Sequence, residues 1–234
     1  MIPISDDNPA RLTPLVTWAI ILACVIVFLW ELSLGHGMAP ALAVLGFTPA
    51  ALGHVLAPPP GYVAVPVWAT ILTSMFLHGG FLHIGGNMLY LWIFGNNVED
   101  AMGHLRFTVF YLISGVAAAL TLAAINPASP VPMIGASGAI SGVLAAYVLL
   151  YPRARVTVIV PLGIILYPMK ISAMWVVGFW FVLQLLNAAL AGQANSSVAW
   201  WAHVGGFVAG GILTPFFKSA QFRLFGDVRR GPWG

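Results

Sequence analysis

Ser137, in Ile134-Gly135-Ala136-Ser137-Gly138, and His203, in Ala202-His203-Val204-Gly205-Gly206, are the residues whose types can do chemistry together. A serine hydroxyl is a weak nucleophile until a base takes its proton, and imidazole titrates in the range that lets it do so. Acyl transfer also needs donors aimed at a developing oxyanion. Ser137 follows a proline-rich stretch and opens an apolar run, so it stands at a helix start, where unpaired backbone N–H groups and the positive end of the dipole are available. Asn87 offers an amide donor, and His83, one helical turn away on the same face, offers an imidazole N–H. The six acids are Asp6, Asp7, Glu31, Glu99, Asp100 and Asp227. None is placed to complete a triad, so a Ser–His dyad is the economical reading.

The elements that would position these residues are membrane spans. Charged residues make up 6% of the 234 residues and hydrophobic ones 60%, whereas a soluble domain carries roughly 25% charged residues. The class is a polytopic all-α membrane protein. Six apolar runs approach the ~20 residues that a spanning helix needs, at about 14–34, 80–98, 105–125, 137–151, 168–190 and 198–217. The first exceeds a signal-peptide core of roughly 7–15 residues and reads as a retained span. Arg11 precedes span one, Arg106 lies between two and three, and Arg153, Arg155 and Lys170 lie between four and five. Lys218, Arg223, Arg229 and Arg230 follow six, and the three remaining loops hold no Lys or Arg. The positive-inside rule then places both termini in the cytoplasm. Nothing resembles a nucleic-acid module, and the net charge of +3 reads as membrane orientation.

Spans two, four and six therefore run inward from the outer face. Span four is short: 15 residues from Ser137 to Tyr151 cover about 22 Å, against roughly 30 Å of hydrocarbon. Its preceding non-helical backbone, with prolines at 127, 130 and 132, must dip into the membrane, which is tolerated only where protein or a water-filled cavity surrounds it. That sets Ser137 roughly 8 Å deep and His203 roughly 7 Å deep, with His83 and Asn87 at roughly 5 and 11 Å. Polar groups inside a membrane are costly and usually functional. Gly138…Gly142 and Gly206…Gly210 are both G-x-x-x-G patterns, which let helix backbones approach.

Singly, each residue has a plainer reading. Ser137 is a favoured helix cap, the glycines are ordinary helix packing, and His203 or Asn87 can simply bridge helices. The shared depth of four polar groups is what those readings leave unexplained. His78 either supports a water-filled site or caps span two. His78, His83 and His203 are imidazoles of a kind zinc accepts, but no carboxylate lies near them and no H-E-x-x-H is present, so a metalloprotease is not expected. A transporter would use the broken entry to span four as a binding site, although no repeated half is visible.

The chain resembles the rhomboid family of intramembrane serine proteases. The matching residues are His78 and His83-Ile84-Gly85-Gly86-Asn87, Gly135-Ala136-Ser137-Gly138, and Ala202-His203-Val204-Gly205-Gly206, together with Gly95 to Asp100 and Gly103 to Phe107. The likeness covers roughly residues 14 to 217. It implies Ser137 as nucleophile, His203 as base, and the Ser137 amide, His83 and Asn87 as oxyanion hole. His78, Gly135, Gly138, Gly206 and Gly210 would then be supporting residues. It implies transmembrane segments of other proteins as substrates, the lipid bilayer as setting, and no metal or cofactor. Two positions depart from the pattern. Trp68 is followed by Ala69 where many members have arginine, and Ser141 stands where many place an aromatic against the catalytic histidine. Trp200 or Trp201 is then expected to orient His203. The organisation is a cytoplasmic segment 1–13, a membrane domain 14–217 and a basic cytoplasmic tail 218–234. A prokaryotic plasma (inner) membrane is the expected location, and the uncharged loop from Gly35 to Gly79 is either an interfacial element or a plain connector.

Overall fold

A computed structural model describes residues 2–53, 57–162, 165–190 and 199–226. The molecule is a mostly helical multi-pass membrane protein. Among the described residues, three helices are long and apolar enough to cross a bilayer: α1 (Leu15–Ser33), α5 (His104–Ile125) and α7 (Ala173–Leu190). A fourth crossing is made if α3 (Val67–Thr73) with its 3₁₀ extension to Phe76 and α4 (Phe81–Met102), bent by 81° at the intervening break, are one span. The shorter α6 (Ser137–Leu150) is apolar throughout, and α8 (Trp200–Phe217) completes the bundle.

Helix α6 is the axis. Every residue from Gly138 to Tyr147 is buried, as expected for a helix that is apolar all round. Helices α4, α5, α7 and α8 surround it, while α1 and α7 present Leu22, Leu29, Trp175 and Leu186 outward. Small residues set the spacing. A Cβ on Gly138 would sit 2.6 Å from the Ala118 Cβ of α5, and one on Gly142 would sit 2.5 Å from Ser114 Oγ. On the other side, Cβ atoms at Gly206 and Gly210 of α8 would overlap the backbone of Gly138 and Gly142. The two G-x-x-x-G patterns therefore meet each other, register to register.

The non-helical entry to α6 is held by backbone hydrogen bonds. Phe47 and Met133 form a two-way bridge (N···O 3.0 and 2.7 Å), and the Gly135 N–H donates to the Ser74 carbonyl at 2.8 Å. The loop from Gly35 to Gly79 is more structured than a plain connector. It contains a 3₁₀ turn at Gly35–Gly37, α2 (Met38–Leu45), a 3₁₀ turn at Pro49–Leu52, and α3. Trp68 stands 70% exposed on α3.

The expectation of an all-helical chain is corrected. Strands β1 (Ile2–Asp6), β2 (Arg155–Leu162) and β3 (Ile165–Ser172) form an antiparallel sheet in the order β1-β2-β3. The stretch beginning Val156-Thr157-Val158-Ile159-Val160 is rich in β-branched residues. Val156 and Val158 are fully buried while the alternate positions are more open, the period of a one-sided strand. In consequence the fifth helix starts at Ala173 rather than 168. The sixth starts at Trp200; of its expected range 198–217, residue 198 lies outside the described residues. The fourth expected span ends at Leu150, and the second continues to Met102.

One end of the bundle gathers the sheet and both described chain ends. Tyr147 donates its hydroxyl to Asp6, tying β1 to α6. Burial raises the Asp6 carboxyl to about 6, opposed by the Tyr147 bond. Asn97 Nδ2 donates to the Asn8 carbonyl at 2.6 Å. The tail returns to the same end: Ser219 N–H donates to Ala101 O, and Phe225 N–H to Leu149 O. Residues 227–234, which carry two of the basic side chains of the tail, lie outside the described residues.

Glu99 joins the first two long helices. Pro14 at the N-cap of α1 supplies no side-chain acceptor. The fully buried Glu99 of α4 does so instead, accepting from Val16 N–H (2.9 Å), Thr17 N–H (2.8 Å) and Thr17 Oγ1 (2.7 Å), with His104 Nδ1 at 2.6 Å. A carboxylate at a helix N-terminus satisfies orphan donors and complements the dipole. Glu99→Ala strands these donors, and hydrogen bonds to a charged group are worth about 1.5–3 kcal/mol each when buried. We expect a loss of about 3 kcal/mol or more, seen as a lower thermal midpoint in detergent, with Glu99→Gln losing less because it keeps one acceptor. An unchanged midpoint for the alanine variant would refute the capping role.

Candidate active site

Ser137 is the first residue of α6, and Ala136, not Ser137, takes the N-cap position. The serine hydroxyl is thus not used as a cap. It donates to His203 Nε2 of α8 at 2.8 Å, across the contact that Gly138 and Gly206 bring to backbone distance. The donor lies within the range for efficient proton transfer. The plain reading of Ser137 as a cap therefore fails on geometry.

His83 and Asn87 lie on one face of α4, opposite the backbone that leads into Ser137. Gly135 has φ +111°, a conformation side-chain-bearing residues rarely adopt. A Cβ there would sit 2.6 Å from His83 Nε2 and 3.4 Å from Asn87 Nδ2. The absent side chain leaves room for two polar nitrogens to converge beside the serine. Gly79 N–H donates to His83 Nδ1 at 3.3 Å. A neutral ring accepting at Nδ1 carries its proton at Nε2, which is the nitrogen facing Gly135. Asn87 is buried, and its Nδ2 has no partner among the described residues. Unpaired buried donors are rare, and this one shares a cavity with Ser137, Gly135, His83 and His203. Backbone N–H groups at the start of α6, the His83 ring and the Asn87 amide are donors of the kind an oxyanion requires.

His78 is fully buried before α4. Its Nδ1 donates to the Phe76 carbonyl at 3.1 Å, and its ring meets His83 edge to face at 5.2 Å. Its own backbone N–H is held by Glu31 of α1 at 3.1 and 3.3 Å. Glu31 thus braces the histidine that packs on His83. Among the described residues no group of three His, Cys, Asp or Glu side chains is arranged to hold a metal ion.

Orientation of His203 differs from expectation in one respect. Trp200 does contact the ring, edge to face at 6.0 Å. Trp201 lines the cavity, while the rings against His203 are those of Trp180 and Trp200. Trp180 of α7 lies over the ring at 6.1 Å, tilted by 36°. The polar partner is Gln184, whose Oε1 accepts from His203 Nδ1 at 2.8 Å. Ser141 turns away and donates to the Ser137 carbonyl at 2.6 Å. Sequence reasoning sought a carboxylate or an aromatic here and passed over a neutral amide. The signal was present: Gln184 is a polar side chain within an otherwise apolar run from Val176 to Leu186, where a polar group is a functional candidate.

Residues 66–220, which include every site residue above except Glu31, match the rhomboid domain. The chain is 32% identical over 143 residues to RHOMBOID-like protein 5 of Arabidopsis thaliana, covering 61% of this chain and 42% of the relative. It is 32% identical over 161 residues to Rhomboid protein 1, mitochondrial, of Saccharomyces cerevisiae, covering 64% and 42%. It is 32% identical over 164 residues to Rhomboid protease GluP of Bacillus subtilis, covering 69% and 27%. The match thus spans less than half the length of these relatives. With its helical bundle, glycine-mediated α6–α8 contact and match over two thirds of its length, the chain belongs to the rhomboid family.

Proposed function

We propose that the protein is an intramembrane serine endopeptidase that cleaves transmembrane segments of other membrane proteins through a Ser137–His203 dyad. The observation that carries this reading is the 2.8 Å hydrogen bond from Ser137 Oγ to His203 Nε2, formed between two apolar helices beside an open cavity. Ser137 Oγ attacks the scissile carbonyl carbon while His203 Nε2 takes the hydroxyl proton. The carbonyl π electrons move to oxygen, and the oxyanion is held by the Ser137 N–H, His83 Nε2–H and Asn87 Nδ2–H. As the carbonyl reforms, the C–N bond breaks and His203 gives its proton to the leaving amine. Water, deprotonated by the same imidazole, then hydrolyses the acyl-enzyme and restores Ser137. A substrate helix must unwind locally, because its carbonyls are otherwise engaged within the helix.

The same reading takes α1, α4, α5, α6, α7 and α8 as six spans, with 1–13 and 218–234 as cytoplasmic segments flanking the membrane domain 14–217. Support comes from the basic residues, which fall at 11, 106, 153–170 and 218–230, and from the meeting of both described chain ends at one end of the bundle. It extends to a prokaryotic plasma membrane as the setting. Reporter fusions to the two termini read the orientation; activity of a periplasm-dependent reporter at either end would overturn it.

The test of function is cleavage of a single-span substrate in liposomes, with labelling of Ser137 by a fluorophosphonate. We expect site-specific cleavage and a label lost in Ser137→Ala. A wild-type protein that cleaves none of several substrates and takes no label would overturn the protease reading and leave a helix-binding role.

A further inference from the structure

A histidine can serve as base towards Ser137 only if the lone pair is at Nε2 and the proton at Nδ1. A neutral imidazole has both tautomers open to it, and the one present is set by the partner of the other nitrogen. Among the described residues, Nδ1 is hydrogen-bonded to Gln184 Oε1, at 2.8 Å. An amide can present either end, and the wrong end would offer an N–H to Nδ1 and force the proton to Nε2. The Gln184 amide is locked against that flip. Its Nε2 donates to the Trp180 carbonyl one turn back at 3.3 Å, and a flipped amide would set oxygen against oxygen there. Gln184 is 6% exposed, so water has little access to replace it. Trp180, whose carbonyl holds the amide, also lays its ring beside His203 and Phe207, and Phe181 stacks on Phe207 at 4.1 Å. The α7–α8 interface therefore fixes both the ring plane and the proton.

We infer that Gln184 is a positioning residue that completes a Ser137–His203–Gln184 triad, its amide oxygen holding His203 as the Nδ1–H tautomer. It touches no reacting atom and acts only through His203. The inference rests on the protease reading for its effect on rate, but its structural claim, the tautomer, stands apart from it.

The experiment compares Gln184→Met, which keeps length without an acceptor, with Gln184→Glu, which keeps an oxygen at the same reach. Cleavage of a single-span substrate in liposomes gives kcat and KM, and nitrogen NMR of ¹⁵N-histidine-labelled protein in detergent reads the His203 ring. In serine proteases, loss of the correct histidine tautomer lowers kcat by about 10⁴-fold. Because a neutral amide is a weaker partner than a carboxylate, we expect Gln184→Met to lower kcat by about 10²-fold with KM changed less than about twofold. Its ring signal should move from the Nδ1–H to the Nε2–H pattern. Gln184→Glu should recover at least tenfold of the lost rate and restore the Nδ1–H pattern. A His203 ring that stays Nδ1–H in Gln184→Met overturns the inference, as does a methionine variant with wild-type kcat. Equal losses in both variants with lower thermal midpoints would reduce Gln184 to packing and also overturn it. Should Gln184→Met fail to fold, the Nε2–H pattern in Gln184→Glu would be decisive against it. A wild type that shows the Nδ1–H ring yet cleaves nothing sinks the protease reading and supports the Gln184 contact.

Discussion

Alanine at Ser137 will lower the cleavage rate by about 10⁴-fold or more, and alanine at His203 will do nearly as much damage. The size follows from the roles. Without Oγ no acyl-enzyme forms, and without the imidazole the hydroxyl keeps its proton, so each variant loses the same covalent route. The double variant should be scarcely slower than either single one, because residues that act as a unit are not additive. Asn87→Ala is expected to fall between, losing about 10²–10³-fold as single oxyanion donors do, with fluorophosphonate labelling slowed rather than abolished. Progress curves in liposomes with one reconstituted substrate decide among these. Cleavage by Ser137→Ala at the wild-type rate would remove the nucleophile assignment. Loss in His203→Ala alone would leave a histidine that activates water directly.

The proposed reacting pair stands out in the sequence because a bilayer makes polar residues conspicuous. Ser137, His203, His83 and Asn87 stand out against apolar neighbours, and a rise of about 1.5 Å per residue was enough to set them at one depth. The glycine patterns then implied which helices touch, and the contact of Gly138 with Gly206 follows that logic. What the sequence did not reveal were partners supplied from other helices. Gln184 comes to His203 from a different element, 19 positions away in the chain. Glu31 reaches His78 across 47, and Glu99 caps α1 across 83. No local pattern announces such pairs, because a carboxylate at a span end reads equally well as a boundary marker.

The sheet was missed for a different reason. Arg155 and Lys170 bracket a β-branched stretch, and in a membrane protein cations between apolar runs are read first as loop markers. The alternation of Val156 and Val158 with Arg155 and Thr157 was the competing signal, and the partner strand Ile2–Asp6 lies more than 140 residues away. Non-local pairing of this kind has no sequence period to betray it. The error propagated into the start of the fifth helix, because Pro168 to Ser172 were apolar enough to be counted with the span that follows them.

Gly206→Ala will be among the most disruptive single substitutions in the chain, although it adds one methyl group. The new Cβ would land on the carbonyl of Gly138, and backbone against backbone leaves no rotamer to relieve the overlap. Overpacking of a core commonly costs about 1–3 kcal/mol where side chains can shift; here α6 and α8 must separate, so we expect a loss above that range. For a chain of this size about 4 kcal/mol corresponds to a fall of roughly 8–16 °C in thermal midpoint. Activity should fall further than stability alone explains. The shift that relieves Gly206 pushes His203, one turn away, from Ser137, and a misplacement of about 1 Å can cost 10²-fold in rate. Gly211→Ala, on the same helix, is the control: its Cβ would meet nothing nearer than Leu149 Cδ1 at 3.9 Å, and alanine is the better helix former by about 1 kcal/mol. It should keep or raise the midpoint and leave cleavage intact. Equal behaviour of the two alanine variants would mean that the α6–α8 contact tolerates separation, and that the serine–histidine distance is not set by these glycines.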